Sequence, residues 1–442
     1  MELKAFYAQT PVRRLFFIAA LPGTVSMLAS SLYYLIDGIL VGNLLGETAF
    51  AAVNLALPLV FINFSLADLV GVGSAVPISI SLGRRSDAEA NNAFTCAVLT
   101  IEVSGTLMGL LFYVLAPELV AMMGAEGQLA ADATAYLRTY VICSPLTSIV
   151  FAMDNYLRIC GRVRQSMLLN ILMSVLCAGC EYVFLGVLHW GVWAAALANS
   201  VGMAVCALLA LWLFLRGKMQ LRFVRPRFTG ALLKRIAACG SPTFLNNVAG
   251  RLIAIVMNAL LLALGGETAV SVYGVMMYAE SLVLPVMYGV CDSLQPAVSY
   301  NLGARNFDRV RGLERCCFAA CAVVSLLAAG LLLIFPETTS RLFVGDARDV
   351  LEMSVTALRL YALTFITRWV SFACQSYLSA LGQAGAAAVI SVSVALLLPA
   401  AFIALLWPLG LNGIWLNSAA VAAAAGVLAA LLLKSRLKKA LR

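Results

Sequence analysis

The chain repeats itself at a nearly fixed distance, which limits the folds it can adopt. The sequence Gly-Glu-Thr-Ala at 46–49 returns at 266–269, and Pro22 returns as Pro242 with the same offset. Further on, the Leu-Arg-x-Tyr pattern at 137–140 returns at 358–361. Two copies of one unit in a strongly apolar chain are typical of secondary transporters, which bind cargo between internal repeats.

Composition indicates that a lipid bilayer is the solvent for most of the chain. Hydrophobic residues make up 62% of the sequence and charged residues only 12%, and a soluble core could not hide so much apolar surface. The net charge is +9, but the basic residues lie in short runs between apolar stretches. That distribution reports membrane topology rather than nucleic-acid binding, which we do not expect.

The apolar stretches predict an all-α integral membrane protein with twelve transmembrane helices in two pseudo-symmetric six-helix lobes. A span needs about 20 apolar residues, and twelve stretches approach that length. Their approximate bounds are 15–42, 49–79, 93–116, 133–153, 167–188, 192–215, 236–264, 269–299, 318–335, 353–377, 386–406 and 414–433. We therefore divide the chain into an N-lobe (1–215), a basic cytoplasmic linker (216–235) and a C-lobe (236–442).

The basic residues also predict orientation. Most of the 30 lysines and arginines fall at the N-terminus, in the loops after spans two, four and eight, in the linker and in the tail. These segments all lie on one side of the membrane if every span crosses it, and the intervening loops are mainly acidic. We therefore place both termini in the cytoplasm and expect a bacterial cytoplasmic (inner) membrane location.

Three polar side chains of the first copy are predicted to share one depth in the membrane. Asp37 lies 10 residues before the outer-loop residue Glu47, or ~15 Å below the surface. Glu181 and Asn199, on spans five and six, fall at ~12 and ~13 Å by the same rise. Two neighbouring carboxylates in low dielectric do not both ionise cheaply, so the pair suits exchange of a proton or sodium ion. Alternatively, Asp37 and Glu181 face water separately near helix ends.

Other ionisable residues in the spans are secondary candidates, because such groups are costly in lipid and usually have a function where they occur. Arg251 and Glu280 fall at similar depths and predict a buried ion pair that serves mainly to fix helix packing, with Arg368 able to join it. Asp68 and Asp292 lie on equivalent spans and could line a cytoplasmic vestibule. A further pair, Asp154 and Arg158 at the inner membrane edge, is expected as an i,i+4 pair on a helix surface. Glu102, on span three, has no assigned role.

The first two spans resemble those of the multidrug and toxic compound extrusion (MATE) family. The resemblance is carried by Leu-Tyr-Tyr-Leu-Ile-Asp-Gly at 32–38, by Ala-Val-Asn at 52–54, and in span eight by Tyr-Asn-Leu-Gly-Ala-Arg at 300–305. It extends over essentially the whole chain and is greatest for the bacterial branch with a first-span aspartate.

That resemblance implies roles for individual residues. Asp37 matches the family's N-lobe ion-site aspartate. On span five the family pattern is an asparagine followed four residues later by an aspartate, and Cys177 and Glu181 stand at those positions here. Asn199 stands where span six often carries threonine. A sodium ion bound by Asp37 and Glu181 is conceivable, but a thiol at 177 favours protons, because sodium needs several oxygen ligands.

We therefore expect a secondary antiporter that exports amphipathic, often cationic, organic compounds in exchange for protons, with sodium as the alternative ion. Binding of the ion is expected to bend span one near Pro22, the hinge. The main alternative is a flippase for a lipid-linked saccharide, which Arg251 and Arg368 would suit by binding its diphosphate. An enzyme is not expected, because His189 is the one histidine and no nucleophile–base cluster is evident; a channel is disfavoured because two copies give one cleft rather than a pore ring.

No cofactor is expected besides the coupling ion. The chain lacks a phosphate-binding Gly-Lys-Ser/Thr loop, so ATP is not its energy source. Its 12 cysteines lie mostly in apolar runs and are interpreted as small buried fillers rather than zinc ligands. The expected partners are small-molecule substrates and the lipid bilayer, with the chain acting as a monomer.

Overall fold

The structure is a computed structural model, and it describes residues 3–344 and 348–440. This part of the chain is helical apart from short connections. The α-helices in chain order are α1 Val12–Leu45, α2 Glu47–Gly83, α3 Asp87–Met122, α4 Gly127–Ile142, α5 Ser144–Ile159, α6 Val163–Glu181, α7 Trp193–Leu215, α8 Gly230–Gly303, α9 Phe307–Ile334, α10 Pro336–Val344, α11 Arg348–Ala380, α12 Ala384–Val392, α13 Leu398–Leu406 and α14 Gly410–Ala440. Short π-helical turns precede α1, extend α6 through Val187 and join α12 to α13.

The helices account for twelve membrane spans. Within the described residues, nine helical stretches are long and apolar enough to cross a bilayer, and α4 and α5, bent by 61°, together form a tenth. Two of the nine stretches each contain two successive spans. Gly266, at φ 64°, breaks α8 into two helices, and Gly410, at φ 58°, starts α14 after the 3₁₀ turn that ends α13. Glycine adopts these left-handed conformations without steric cost.

The internal repeat is visible in the backbone as well as in the sequence. Residues with left-handed φ occur in pairs that keep the offset of the sequence repeat: Gly46 with Gly266, and Arg85 with Arg305. The later pairs, Gly161 with Gly382 and His189 with Gly410, are separated by one position more. Equivalent turns therefore join equivalent helices in the two copies, which is the local structural signature of the predicted duplication.

The chain divides into two compact units, and the division does not follow the sequence boundaries expected above. Unit 1 comprises Met1–Gln9 and Val25–Gly240, and unit 2 comprises Thr10–Thr24 and Ser241–Arg442. The first part of α1, through Thr24, thus packs with unit 2, whereas the rest of this helix packs with unit 1. The segment 216–235, expected to be a separate linker, is part of unit 1.

That linker segment is held against the start of α3. The backbone N–H groups of Arg222 and Arg227 donate to the Oδ1 atoms of Asn91 (2.9 Å) and Asn92 (2.7 Å), and Leu221 is fully buried. Such contacts satisfy backbone donors that an irregular segment would otherwise leave to water. Residues 216–235, called the strap below, therefore pack against unit 1 and are not only a charged surface connection.

The helix surfaces match a bilayer environment. On α3 the side chains of Val103, Leu107, Leu110 and Val114 are each about 60% exposed (58–62%) and recur every three to four residues. This spacing makes an apolar stripe along one helix face. In a membrane such a stripe contacts lipid, so the protein is a multi-pass membrane protein.

Candidate functional site

A hydrogen-bonded cluster in unit 1 joins α1 to α7. The Asn199 amide donates from Nδ2 to Asp37 Oδ1 at 3.0 Å and to the Ala195 carbonyl oxygen at 3.3 Å. The Tyr33 hydroxyl lies 3.2 Å from the same Asp37 oxygen and also contacts Asn199 Oδ1. Tyr33, Asp37 and Asn199 are all buried. One carboxylate oxygen of Asp37 is thus fixed by two neutral partners.

Helical spacing explains why these side chains meet. Tyr33 and Asp37 are four residues apart on α1, and Cys177 and Glu181 are four residues apart on α6, so each pair lies on one helix face. The Cys177 thiol donates to the Asn199 backbone carbonyl at 3.5 Å. Spans one, five and six therefore converge at one place, as the depth arithmetic predicted.

Close packing of α6 on α7 depends on Gly202. A Cβ atom added at Gly202 would lie 2.4 Å from Cys177 Sγ and 2.9 Å from its backbone nitrogen. Those distances are shorter than van der Waals contact, so only glycine allows this approach. Gly202 is one helical turn beyond Asn199 on α7. Its close contact with Cys177 therefore fixes the position of Asn199 relative to α6.

Glu181 completes the group of polar side chains, and its environment is unusual. Its side chain is fully buried, and its carboxyl group lies close enough to that of Asp37 for the two to interact. Within the described residues, neither Glu181 oxygen accepts a hydrogen bond of normal geometry. Two buried carboxyl groups this close together do not both ionise cheaply, so this arrangement favours a bound proton or cation.

The cluster borders a cavity of about 230 Å³ in unit 1. Asp37, Asn199 and Cys177 line one part of its wall, and most of the remaining lining is aromatic or methionine. These apolar lining residues include Met27, Tyr34, Phe61, Phe64, Tyr136, Tyr140, Phe151, Met173 and Met203. Phe64 packs edge-on against both Tyr140 and Phe151 at centroid distances of 5.5 Å, which gives the cavity a rigid aromatic wall.

A second polar network lines the same cavity. Asp154 pairs with Arg158 at 2.5 Å and accepts hydrogen bonds from Asn170 Nδ2 at 2.7 Å and from the Ser166 hydroxyl. The Arg158 side chain is only 2% exposed. The expected i,i+4 pair exists, but the prediction that it lies on a helix surface was wrong, because α6 supplies Ser166 and Asn170 to bury it.

The secondary candidates of unit 2 are arranged differently from the prediction. Glu280 pairs with Arg368 at 2.6 Å and accepts a hydrogen bond from the Tyr361 hydroxyl. Arg251, the expected partner of Glu280, is exposed. The Glu280–Arg368 pair borders a cavity of about 270 Å³. Because Glu280 neutralises Arg368, this cavity does not present the free cationic group that a diphosphate would need.

Asp68 and Asp292 are half-buried. Neither is among the residues that line the cavity beside Asp37 or the cavity beside Glu280. Pro22, the expected hinge, lies inside α1, three residues before the point where this helix passes from unit 2 to unit 1.

The donor set at Asp37 suits a proton better than a sodium ion. Sodium is a hard cation that needs several oxygen ligands at defined distances, like the other hard cations bound by proteins. Asn199 turns an N–H group, not its oxygen, toward Asp37, and its Oδ1 is engaged by Tyr33. The oxygens left for a metal are those of the two carboxyl groups, whereas a proton needs only one of them.

A family model for MatE matches the chain twice, over residues 22–183 and 242–405. The starting positions of the two matches have the same offset as the sequence repeat, and together the matches cover most of the chain. The chain belongs to the MatE family. The sequence resemblance is thereby confirmed over both copies.

Individual relatives agree with this assignment. The chain is 24% identical over 446 residues to the multidrug export protein MepA of Staphylococcus aureus strain MSSA476, with 98% of this chain and 96% of the relative covered. It is 23% identical over 428 residues to MepA of Staphylococcus saprophyticus, with 95% and 93% covered. Both MepA proteins thus match this MatE chain from end to end.

Solved MATE structures share the fold. A crystal structure of MATE in complex with MaL6 superposes with a TM-score of 0.93 at 20% identity and covers 99% of this chain and 98% of that one. An outward-facing multidrug resistance MATE transporter of the MOP superfamily gives 0.93 at 21% identity over the same shares of the two chains. The predicted all-helical fold, with twelve spans in two six-helix lobes, is confirmed.

Tyr33 is the site residue of this MatE chain that the sequence analysis did not single out. In the sequence it stands out only as part of the stretch 32–38 that carries the family resemblance, yet its hydroxyl joins Asp37 to Asn199. The available signal was its position four residues before Asp37 on the same helix, which places both side chains on one face.

Proposed function

We propose that this MatE-family chain is an antiporter that exports amphipathic, often cationic, organic compounds from a bacterial cytoplasm in exchange for protons. The observation that carries the proposal is the buried carboxyl pair Asp37 and Glu181, of which Asp37 lines an aromatic cavity. One group of the pair can exchange a proton for another cation because the two negative charges cannot coexist cheaply in low dielectric.

The cavity of unit 1 supports the choice of cargo. Aromatic faces attract organic cations, and methionine side chains adapt to irregular apolar shapes. Asp37 is the acidic group that a cationic cargo would meet on this wall, since Asp154 is already paired with Arg158. The relatives named multidrug export proteins in two Staphylococcus species add independent support for drug-like cargo.

Competition for Asp37 would couple the two fluxes. In this scheme cargo binds while Asp37 is ionised, a proton entering from outside neutralises the carboxylate, and the cargo loses its counter-charge and leaves. Glu181 keeps the site acidic and holds the proton when Asp37 does not. The Tyr33 hydroxyl and the Asn199 amide hold the Asp37 side chain in position through both states.

The proposal includes an orientation and a location. The concentration of arginine and lysine on one set of loops supports a cytoplasmic position for both termini. The Staphylococcus relatives favour a bacterial cytoplasmic membrane as the location.

Transport by purified protein in proteoliposomes tests the proposal. A fluorescent organic cation is followed under an imposed pH gradient and then under a sodium gradient of equal size. Asp37→Asn and Glu181→Gln should each lower pH-driven transport at least about ten-fold, a loss equivalent to roughly 1.4 kcal/mol. Glu102→Gln is the matched control, because Glu102 is a half-buried carboxylate of α3 outside the site.

The outcomes separate the alternatives. Transport driven equally by a sodium gradient and a pH gradient would contradict proton coupling. Full dye transport by the Asp37→Asn protein would show that Asp37 is not the coupling residue. If dye does not move but a lipid-linked saccharide crosses the bilayer, the chain is a flippase and the export proposal is wrong.

A further inference from the structure

Three cysteine side chains of unit 2 meet where the second half of α8 packs against α9. Cys291 Sγ lies 3.5 Å from Cys317 Sγ and 3.5 Å from Cys321 Sγ. All three sulfur atoms lie within 4.8 Å of one another, and all three residues are buried. The cluster contributes nothing to the lining of the two cavities described above.

The arrangement is more specific than apolar filling by cysteine. Cys317 and Cys321 are four residues apart on α9 and therefore share one helix face, and Cys291 of α8 faces that pair. The adjacent Cys316 is half-buried and takes no part in the group. Among the residues that the structure describes, this is the one group of three or more histidine, cysteine or acidic side chains close enough to hold an ion.

Three thiols without a histidine or carboxylate make a soft donor set, which selects thiophilic elements over hard cations. With bonds of about 2.3 Å, a planar three-sulfur site has sulfur–sulfur edges of ~4.0 Å. The observed 3.5 Å separations from Cys291 are shorter and match a pyramid, in which the central atom stands above the plane of its three ligands.

Charge decides between the thiophilic candidates. Three thiolates around Cu⁺ or Ag⁺ would carry two net negative charges, and around Zn²⁺ one. Around trivalent arsenic or antimony they form a neutral complex. A net charge is expensive among buried helices that cross a bilayer, so the neutral complex is favoured. Trivalent arsenic and antimony also bind three sulfurs in a pyramid, because each keeps a lone pair.

We propose that Cys291, Cys317 and Cys321 form a binding site for trivalent arsenic or antimony. Arsenite enters as neutral As(OH)₃, each thiol gives its proton to one departing hydroxide, and three As–S bonds replace three As–O bonds with release of three water molecules. No electrons are transferred. The product links α8 to α9 and is independent of the acidic site of unit 1.

Arsenite is the probe in the test. Full-length protein in detergent is reduced with a phosphine, because a dithiol reductant would itself bind arsenic. It is then equilibrated with arsenite and separated from free arsenic by gel filtration. We expect one arsenic per chain, with X-ray absorption showing three sulfur and no oxygen neighbours. Bound arsenite should also protect the three cysteines from alkylation, which peptide mass spectrometry maps on the unmodified protein without any variant.

Variants assign the site. Cys291→Ser, Cys317→Ser and Cys321→Ser should each weaken binding at least about ten-fold, the loss that even an outer-shell change causes at a metal site. Cys316→Ser is the matched control and should bind arsenite as the original protein does. If a serine variant misfolds, the corresponding alanine variant is used instead, after gel filtration has shown that it is monodisperse.

The proposal is overturned if the protein retains no arsenic, if arsenic has fewer than three sulfur neighbours, or if none of the three serine variants weakens binding. Retention of Ag⁺ at the cluster with no arsenite bound would overturn the charge argument. Because no transport is measured, failure here leaves the antiport proposal untouched, and failure of antiport leaves this site untouched.

Discussion

At the scale of single residues, the Tyr33 hydroxyl lies beside Asp37 Oδ1 and Asn199 Oδ1 and has one proton to donate. While Asp37 is ionised, a hydrogen bond to its charged oxygen is worth about 1.5–3 kcal/mol. When Asp37 takes up a proton, the hydroxyl can turn to Asn199 instead. Tyr33 therefore acts as a positioning residue that favours the ionised form of Asp37.

Tyr33→Phe keeps the aromatic ring and removes only this hydroxyl. Without the hydroxyl, Asp37 should release its proton to the cytoplasmic side less readily, so we expect transport to fall roughly ten-fold when the internal pH is held near neutral, because a loss of about 1.4 kcal/mol is a factor of ten. The loss should shrink as the proton gradient is increased by raising the internal pH, unlike the loss in Asp37→Asn. Tyr182→Phe, which alters an exposed tyrosine of the same unit, is the control. A Tyr33→Phe protein with unchanged dependence on the gradient would show that the hydroxyl is only structural.

The Glu280–Arg368 pair of unit 2 offers a test of stability rather than transport. Arg368→Gln leaves Glu280 without its cation, and removing one partner of a buried pair typically costs about 3–5 kcal/mol. The two side chains are 24% and 14% exposed, so we expect a loss at the lower end of that range. Glu280→Gln combined with Arg368→Gln should restore most of it. Thermal unfolding in detergent measures both, and a double variant no more stable than Arg368→Gln would contradict the pairing.

The sequence predicts which side chains lie at similar heights along neighbouring helices, but it does not predict the direction in which a side chain points. Counting residues from the outer loops brought Asp37, Glu181 and Asn199 to one level, and the structure places them together. The same count put Arg251 level with Glu280, but Arg368 is the arginine that pairs with Glu280 at 2.6 Å, and Arg251 is exposed. Which arginine reaches Glu280 depends on the rotation of each helix, and that is decided by packing between helices far apart in sequence.

At the scale of helices, close packing of α6 on α7 supports the acidic site. Gly202→Ala places a methyl group 2.4 Å from Cys177 Sγ, so the two helices must separate or Cys177 must move. Overpacking of this kind typically costs about 1–3 kcal/mol. We expect a lower unfolding temperature together with reduced pH-driven transport, because Asn199 and Glu181 move apart.

Gly179 supplies the matched control for that change. It lies on α6 two residues beyond Cys177, and a Cβ atom there meets nothing within 4 Å. Gly179→Ala should therefore leave transport intact and stabilise the helix slightly, since alanine is favoured over glycine by up to about 1 kcal/mol in a helix. Equal effects of the two substitutions would show that the close approach at Gly202 is unimportant.

The number of spans could be read from apolar length, but bends within spans could not. Residues 133–153 were taken as one span, whereas α4 and α5 meet there at 61°. Pro145 stands in the first turn of α5, where its missing backbone N–H prevents α4 and α5 from continuing as one regular hydrogen-bonded helix. Its position marks the bend, although only tertiary packing sets the angle.

At the scale of the whole molecule, two matching copies are joined by more than the central segment. The strap at 216–235 packs into unit 1, and α1 has residues in both units, with the change between Thr24 and Val25. On the unit 2 side, α1 is held tightly: a Cβ atom added at Gly23 would lie 1.7 Å from Ser293 Oγ. Asp37 lies farther along the same helix, in unit 1. Pro22 lies three residues before this change of unit, so it stays the predicted bending point of α1.

Pro22→Ala tests that role. Proline lacks a backbone N–H and weakens a helix interior by about 3 kcal/mol, so alanine should stiffen α1 at the change of unit and raise or preserve the unfolding temperature. Transport should nevertheless slow, while binding of a fluorescent cation at equilibrium stays nearly unchanged. Pro117→Ala, at an exposed proline of α3 that lies wholly in unit 1, should leave the transport rate as it is. If Pro22→Ala transports at the original rate while its helix is measurably stiffer, the bending step must be placed elsewhere in the chain.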